Sequence, residues 1–499
     1  MKTAIPQFLI VTLIISFGSL QNAQAVSPAP NGCYPNFTTA EGCNTLQSLT
    51  IGLANTGIGW YSLFANTIGS YNTAVGAGAL DLNNADSNTA VGAAALLLNT
   101  TGTLNVALGT DALVFNDSGY RNNAVGTFAL YTNTDGYANN AVGYEALYAN
   151  TSGFQNAAIG GGALFSNTTG STNVAMGTAA LYFNSTGSSS TAVGMEALYN
   201  NTVDGNTATG FQALFSNTTG TFNTADGYQT LYSNTSFTDN TATGFQALFS
   251  NTAGGYNTAN GSQALYNNTT GNFSTATGLQ ALFYNTTGIA NNAVGSTALD
   301  SNTSGSYNTA LGDAAGYNAT TGDHNVYIGA GMDGVAGESN ACYIASIYGQ
   351  SIDPVTAATV AVDANNKLGT MPSARRFKKD IKPMDDVSDA ILALKPVAFH
   401  YKSDRNNTPC FGLIAEDVAK VNPALATLGK DGKPYSVRYD QINAMLLNEF
   451  LKEHKAFVEE HRTVEELKKQ VAALTAGLQK VSAQLELSKA APQTVLNNR

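Results

Sequence analysis

The 499-residue sequence has little charge, and basic residues are almost missing from its middle. Asp, Glu, Lys and Arg together make up 11% of the residues. Between residues 55 and 325 there are thirteen acidic side chains and a single basic one, Arg121. Proteins that bind nucleic acid need a basic surface, so we do not expect this stretch to bind nucleic acid.

Motifs for metals and phosphates are also missing. The four histidines are scattered, and no Cys/His cluster has the spacing of a zinc site. Acidic residues do not recur as they do in calcium-binding repeats, and no Gly-rich loop is followed by a phosphate-binding Lys. The sequence therefore predicts neither a metal site nor a cofactor.

Cysteine is rare, with four in the chain. Cys33 and Cys43 lie ten residues apart and form the candidate disulfide, because such a pair can oxidise in an exported protein. Cys342 and Cys410 lie far apart in apolar stretches, and we expect them to be buried free thiols.

The N-terminus carries an apolar run, residues 8–15, which is too short for a membrane span. Lys2 precedes it, and an Ala-Gln-Ala sequence ends just before Val26. This arrangement is typical of a secretion signal over residues 1–25; a retained anchor is the alternative. We predict a secreted or cell-surface protein with no transmembrane span in the mature chain.

What the sequence has in abundance is a repeat of about seventeen residues, Asn-Thr-Ala-Val-Gly-x-x-Ala-Leu-x-x-Asn-Thr-Thr-Gly-x-x. It recurs in sixteen copies over residues 55–329, and residues 36–54 resemble a degraded first copy. Each copy has two apolar pieces of strand length, Thr-Ala-Val-Gly and Ala-Leu-aromatic, separated by turn-forming residues. A fixed period this short is typical of a stacked array.

One copy of the repeat cannot fold alone. Ordering its backbone costs roughly 17–34 kcal/mol, whereas three apolar side chains return about 5–9 kcal/mol. Neighbouring copies must share strand edges and an apolar face, and the Asn that starts each copy can form a ladder of side-chain amides. We therefore predict a mainly β protein with a β-solenoid or β-roll shaft over residues 55–329.

The shaft resembles, in style, the heads of trimeric autotransporter adhesins, in which Gly-punctuated repeats of a shorter period form a β-roll in each of three chains. That resemblance implies a trimeric shaft. The alternatives are a monomeric solenoid and a disordered tract, and the aliphatic and aromatic residues at fixed phase argue against disorder.

After residue 329 the period ends and basic residues return. We expect a connector over residues 330–372, a small α+β domain over residues 373–445 and a long helix over residues 446–490. The helix has apolar residues on one heptad frame, which predicts a coiled coil; a helix that packs on its own domain is the alternative. These residues are Phe450, Phe457, Val464, Leu467, Val471, Leu474, Leu478, Val481 and Leu485.

Four motifs follow one another in this region. They are Ser-Ala-Arg-Arg-Phe-Lys-Lys-Asp-Ile from Ser373, Ala-Leu-Lys-Pro-Val from Ala393, Gly-Leu-Ile-Ala-Glu-Asp-Val from Gly412 and Val-Arg-Tyr from Val437. Their order is similar to the C-terminal intramolecular chaperone domain of phage endosialidase tailspikes, over about residues 373–470. The resemblance implies a module that trimerises the chain, helps the shaft to fold and then cuts itself off.

In that family a Ser and a Lys five residues later form a catalytic dyad, which the resemblance places at Ser373 and Lys378, with Pro372–Ser373 as the scissile bond. A Ser hydroxyl needs a base to remove its proton, and a Lys can serve once its pKa falls from about 10.4 toward 7. The family commonly has Asp after the Ser, where this chain has Ala374. A cap that stays attached is therefore the alternative to a single-turnover serine auto-peptidase.

The sequence as a whole predicts a secreted, trimeric, adhesin-like surface fibre with a self-cleaving intramolecular chaperone. The alternatives are a phage-like tail fibre and a monomeric solenoid that binds polysaccharide or ice, each with a trimerisation cap that does not cleave. The expected partners are further copies of the chain and a cell-surface or polysaccharide ligand.

Overall fold

The computed structural model describes residues 35–363 and 365–489. The chain divides into two compact units, with the boundary after Gln350. The signal sequence predicted over residues 1–25 lies outside the described residues, and so does Cys33. Pairing of Cys33 with Cys43 therefore stays a prediction.

The first unit is a parallel β-solenoid, which confirms the predicted mainly β repeat fold. After a 3₁₀ turn at Pro35–Phe37, nineteen strands form one sheet in which each strand pairs in parallel with the next along the chain. The strands are β1 (Thr39–Glu41), β2 (Thr56–Ile58), β3 (Thr73–Val75), β4 (Thr89–Val91), β5 (Val106–Leu108), β6 (Asn123–Val125), β7 (Asn140–Val142), β8 (Ala157–Ile159), β9 (Val174–Met176), β10 (Thr191–Val193), β11 (Thr207–Thr209), β12 (Thr224–Asp226), β13 (Thr241–Thr243), β14 (Thr258–Asn260), β15 (Thr275–Thr277), β16 (Asn292–Val294), β17 (Thr309–Leu311), β18 (Val326–Ile328) and β19 (Cys342–Ile344).

Each strand turns its middle residue into the coil and its first and third residues out of it, as the pleat of a strand requires. The middle residue is Ala in most strands, and in β6 this residue, Ala124, is fully buried. The second apolar piece of the same coil adds Ala129 and Leu130, which are also fully buried. Stacked coils thus share one continuous core, which explains why a single copy is not a folding unit.

A glycine follows each strand from β1 to β18 because the backbone there turns with positive φ and passes close to the next coil. At Gly160, φ is +136° and a Cβ atom would lie 2.5 Å from the carbonyl oxygen of Gly177. No other residue fits such a position without a shift of the backbone, so the glycine recurs with the period.

Two rows of buried asparagines satisfy the backbone of the coils. In the first row, Asn122 Oδ1 accepts the Asn139 N–H at 3.0 Å, and Asn122 Nδ2 donates to the Gly136 carbonyl at 2.8 Å. This is the row placed at the start of each repeat. In the second row, Asn133 Nδ2 donates to Asn116 Oδ1 at 2.7 Å and to the same Gly136 carbonyl at 3.0 Å. The second row was not expected, because Asn-Thr-Thr-Gly is also an ordinary turn sequence.

A ladder of aromatic rings runs along one side of the solenoid, one ring per coil. Neighbouring ring centroids lie 4.9–5.3 Å apart with nearly parallel planes. Asp81 and Asp300 occupy the same position in two other coils. The rings belong to Tyr131, Tyr148, Phe165, Tyr182, Tyr199, Phe215, Tyr232, Phe249, Tyr266 and Phe283.

The second unit consists of three antiparallel strand pairs, short 3₁₀ helices and two α-helices. Its strand pairs are β20 (Val360–Val362) with β21 (Leu368–Thr370), β22 (Val397–Phe399) with β23 (Cys410–Gly412), and β24 (Ala426–Leu428) with β25 (Pro434–Val437). Its helices are the 3₁₀ segments Arg375–Phe377, Asp385–Ala393 and Pro423–Leu425, α1 (Ala415–Val421) and α2 (Tyr439–Lys489). A small core forms from Ile391, Val418, Leu425, Ile442 and Met445.

The cysteine prediction was wrong at Cys342, which is exposed. Cys342 is the first residue of β19, and first residues point out of the coil, so an apolar sequence context does not bury it. Cys410 is half-buried. No helix within the two described stretches has the length and apolar character of a membrane span.

Candidate functional site

The chain around Ser373 leaves an extended strand and enters a tight turn. Strand β21 ends at Thr370, and a single 3₁₀ turn then spans Arg375–Phe377. The Lys378 N–H donates to the Arg375 carbonyl oxygen at 3.0 Å, which closes the turn. Because of this turn, residues 373 and 378 come together although they are five apart in sequence.

The Ser373 and Lys378 side chains are in direct contact. Lys378 Nζ lies 3.1 Å from Ser373 Oγ, at hydrogen-bond distance. A nucleophile with a base in hydrogen-bond reach is the arrangement that nucleophilic catalysis by Ser requires. The resemblance named this pair without any information on distance, and the contact is consistent with the proposed dyad.

Both side chains are in water in the single chain. All residues from 371 to 381 are exposed. The neighbouring cations are also exposed, and the Arg376 guanidinium lies 4.8 Å from the Phe377 ring centroid. The described residues of this chain therefore do not bury the Lys378 amine.

A polar cluster fastens the 3₁₀ helix Asp385–Ala393 to helix α2. The buried Ser388 hydroxyl donates to the Glu449 carboxylate and accepts from Asn448 Nδ2 at 2.6 Å. Lys452 Nζ lies 2.6 Å from Asp389 and 2.8 Å from Glu449, and these hydrogen bonds raise the pKa of Lys452. The cluster fixes the start of α2 to the small domain. Sequence reasoning missed it, because contacting residues about sixty apart leave no local pattern.

The apolar heptad residues of α2 are exposed. From Phe450 to Leu485, the nine residues on the predicted frame are between 39% and 69% exposed. Within the described residues, α2 packs on the small domain through Ile442 and Met445 and through the polar cluster at residues 448–452. An apolar seam of this length in water is what an unpartnered coiled-coil helix presents.

The family comparison concerns the segment that begins at Ser373. Residues 373–427 match the sequence model of the family described as chaperone of endosialidase. This segment, residues 373–427, is similar to endosialidase-type chaperone domains, and we call it the chaperone segment. The match starts at the Ser of the Ser–Lys pair and ends within β24. Searches among curated proteins and among solved structures found no match.

The chaperone segment therefore includes Ser373 and Lys378, whereas Pro372 immediately precedes it. Within the described residues no group of three or more His, Cys, Asp or Glu is placed to hold a metal ion. The chemistry available at this site is that of a Ser hydroxyl, a Lys amine and the carbonyl of the preceding peptide bond.

Proposed function

We propose that this protein is an exported trimeric surface fibre, similar to an adhesin or a phage tail fibre, and that the chaperone segment assembles it. The observation that carries the proposal is the order of parts in one chain. A nineteen-strand solenoid is followed by an endosialidase-type chaperone domain and then by a long helix with an exposed apolar seam. The signal sequence predicted over residues 1–25 supports export.

Assembly by the C-terminal part suits the physics of the solenoid. Each coil contacts only its neighbours, so the first coils to form have too few contacts to offset the entropy of ordering them. Three α2 helices that pair through their apolar seams would bring three shafts together before the first coils form. The chaperone segment and α2 together then act as the nucleus from which the coils grow.

We further propose that the chain cuts itself between Pro372 and Ser373. Neutral Lys378 removes the Ser373 hydroxyl proton, and Oγ bonds to the Pro372 carbonyl carbon. The bond from that carbon to the Ser373 nitrogen breaks, and the nitrogen takes up the proton, which leaves an ester. Water hydrolyses the ester to a chain that ends at Pro372 and a fragment that begins with Ser373. Pro372 supplies only a carbonyl, so its missing N–H is no obstacle.

Because both dyad residues are exposed in a single chain, we propose that cleavage follows assembly. Neighbouring copies that cover the turn at Arg375–Phe377 would remove water from Lys378 and favour the neutral amine. This order also makes functional sense, because the chaperone segment is released only after it has acted.

The test is expression of the full chain, followed by intact mass and N-terminal sequencing of the assembled fraction. We expect a fragment of residues 373–499 whose first residue is Ser373. Ser373→Ala and Lys378→Met should abolish it, and Ser351→Ala, which changes an exposed Ser outside the turn, should cleave normally. A wild-type trimer that stays uncut would contradict the proposed self-cleavage but not the proposed role in assembly.

A further inference from the structure

The outward-facing third residue of each strand changes character along the solenoid. It is apolar from β2 to β10, polar from β11 to β15, and apolar again from β16 to β19. We name the row of third residues from β2 to β19 the ridge and its five polar members the polar block; the third residue of β1 is Glu41 and is not part of the ridge. The apolar members are Ile58, Val75, Val91, Leu108, Val125, Val142, Ile159, Met176 and Val193, then Val294, Leu311, Ile328 and Ile344; the polar block is Thr209, Asp226, Thr243, Asn260 and Thr277.

The ridge is continuous and reaches solvent. The strand register places third residue on third residue, as in Val125 with Val142 and Val142 with Ile159. Ile159 is 39% exposed, and Leu311 is 52% exposed. Isolated apolar side chains are common on protein surfaces, but two runs of nine and four neighbouring apolar side chains are typical of an interaction surface.

We propose that the ridge is the surface along which copies of this chain meet in parallel, and that the polar block fixes their register. This inference rests on the proposed trimer. Its eighteen strands, about 4.8 Å apart, extend the ridge to about 82 Å, and a width of about 10 Å gives roughly 800 Å² per chain. That area is the share that each partner contributes to a standard stable interface.

The pattern of the ridge selects a second copy of the chain as its partner. We call each strand's ridge residue a rung. When two copies lie parallel and in register, each of the nine apolar, five polar and four apolar rungs of one copy lies opposite the same residue of the other. When two copies lie antiparallel with their polar blocks together, only four apolar rungs on either side of the block are matched, and β2–β6 overhang. The unequal lengths of the two apolar stretches therefore favour the parallel arrangement.

The polar block also opposes slippage. A solenoid of similar coils can slide by one rung with little change in its contacts, as long as the ridge is uniformly apolar. With the block present, a slip of one rung sets Thr209 against Val193 and Val294 against Thr277 at each contact between copies. Burying a hydroxyl against an apolar side chain is unfavourable, and a single polar position fixes register in coiled coils in the same way.

The first test asks whether copies meet at the ridge. It uses the full chain with its four cysteines replaced by Ser and a single Val142→Cys, oxidised after assembly. We expect disulfide-linked dimers on a non-reducing gel. The matched control carries Thr218→Cys instead, and Thr218 is an exposed turn residue away from the strand face. We expect this control to form at least tenfold fewer disulfide-linked dimers.

The outcomes separate this inference from the proposed function. A protein that light scattering shows to be monomeric contradicts both. A trimer in which Val142→Cys forms no more dimers than Thr218→Cys contradicts the ridge interface alone.

The second test addresses register, with two differently tagged chains that carry Val142→Cys and Ile159→Cys. In-register copies set like positions side by side, so we expect mixed cross-links to be at least tenfold rarer than like ones. Replacing all five polar-block residues by Val should make mixed cross-links about as frequent as like ones.

A second variant keeps the polar block but moves it by one rung, with Val193→Thr and Thr277→Val. Shifted chains carrying Val142→Cys should then cross-link to unshifted chains carrying Ile159→Cys. The reverse combination, with Ile159→Cys on the shifted chain, should stay unlinked. Equal linking in both directions contradicts the register role, and it would point instead to a block that faces solvent or a saccharide.

Discussion

At the residue scale, the repeat is held in place by positions that accept one kind of side chain. Gly160 and Gly161 are neighbours in one coil but differ in what a Cβ atom would meet. At Gly160, φ is positive and the Gly177 carbonyl oxygen lies 2.5 Å away, whereas at Gly161 the nearest atom is 3.9 Å away. The first glycine is required by the coil, and the second is only tolerated.

We expect Gly160→Ala to lower the free energy of unfolding by about 2–4 kcal/mol, because a methyl group there strains φ and pushes the next coil away. Gly161→Ala should change it by less than about 0.5 kcal/mol. Thermal unfolding of the assembled protein, followed by circular dichroism, measures both. Equal midpoints for the two variants would mean that the backbone can move aside at Gly160.

Asp81 gives the solenoid a pH dependence. It stands at the aromatic-ladder position of its coil, where burial raises its pKa from 3.8 to about 6. A raised pKa means that the folded state holds the proton more tightly than the unfolded state. The contribution of Asp81 to stability is therefore complete below about pH 4 and is lost as the pH rises through about 6.

Asp81→Asn should therefore stabilise the solenoid at pH 7 by about 2 kcal/mol, and the advantage should shrink between pH 6 and pH 4. Asp135→Asn, at an exposed turn, is the control and should have little effect at either pH. Denaturant unfolding at pH 4, 5, 6 and 7 measures the difference. A constant offset at all four values would show that Asp81 does not titrate in this range.

At the element scale, the sequence predicts the period, the first strand piece and the shared core, because each of these leaves a mark at a fixed phase. The prediction that the second piece, Ala-Leu-aromatic, is also a strand was wrong: in each coil it forms a turn that buries its Ala and Leu, as at Ala129 and Leu130. It does not predict which polar residues are buried. The second Asn row, exemplified by Asn133, has the composition of a surface turn and is nevertheless fully buried. Which outward face is apolar becomes readable only once the strand register is known, because the alternation covers just three residues per coil.

The sequence predicted the candidate site less directly than it predicted the shaft. Ser373 and Lys378 were named from a family resemblance, and their spacing alone would not have selected them. The cluster at Ser388 had no sequence signal at all, because its partners Asn448 and Glu449 lie on another element. Long-range contacts of this kind follow from packing and not from local pattern.

The second Asn row offers a sharp test of element stability. Asn167 Nδ2 donates to Asn150 Oδ1 at 2.8 Å and to the Gly170 carbonyl at 3.0 Å. Asn167→Asp keeps the shape but replaces the donor by an acceptor that faces two acceptors. We expect a loss of about 3 kcal/mol or more at pH 7, and a smaller loss at low pH where the carboxyl is protonated.

Asn292 provides the matched control, because it is the exposed first residue of β16. Asn292→Asp should change stability by less than about 0.5 kcal/mol. Denaturant unfolding of the two variants at pH 7 and pH 4 distinguishes them. If Asn167→Asp behaves like Asn292→Asp, the buried ladder contributes little, and the coils are held by their backbone hydrogen bonds alone.

At the scale of the whole chain, the two units differ in what prevents each from folding or staying stable alone. The solenoid buries its core only when many coils stack, and between residues 55 and 325 it carries thirteen acidic residues against one basic residue. The second unit folds a small core but leaves the long apolar seam of α2 in water. Association of α2 helices would cover that seam and hold several acidic, slowly nucleating shafts close together.

A chain that ends at Pro372 should therefore refold poorly, even though it keeps every coil of the solenoid. We expect less than about a tenth of the β-rich assembled protein that the full chain gives after dilution from denaturant, because nucleation is no longer assisted. The Ser373→Ala chain should refold as well as wild type, since it keeps the chaperone segment and loses only the cut. Circular dichroism and size-exclusion chromatography measure the yield.

The same truncation made after folding should be harmless. Once the coils are stacked, unfolding must disrupt many coils together, so the cleaved shaft should keep its melting midpoint and its oligomeric state. The expected result is thus a chain whose stability is independent of its tail but whose folding is not. A truncated chain that refolds at the full rate would show that the coils nucleate unaided, and the chaperone segment would then need another role.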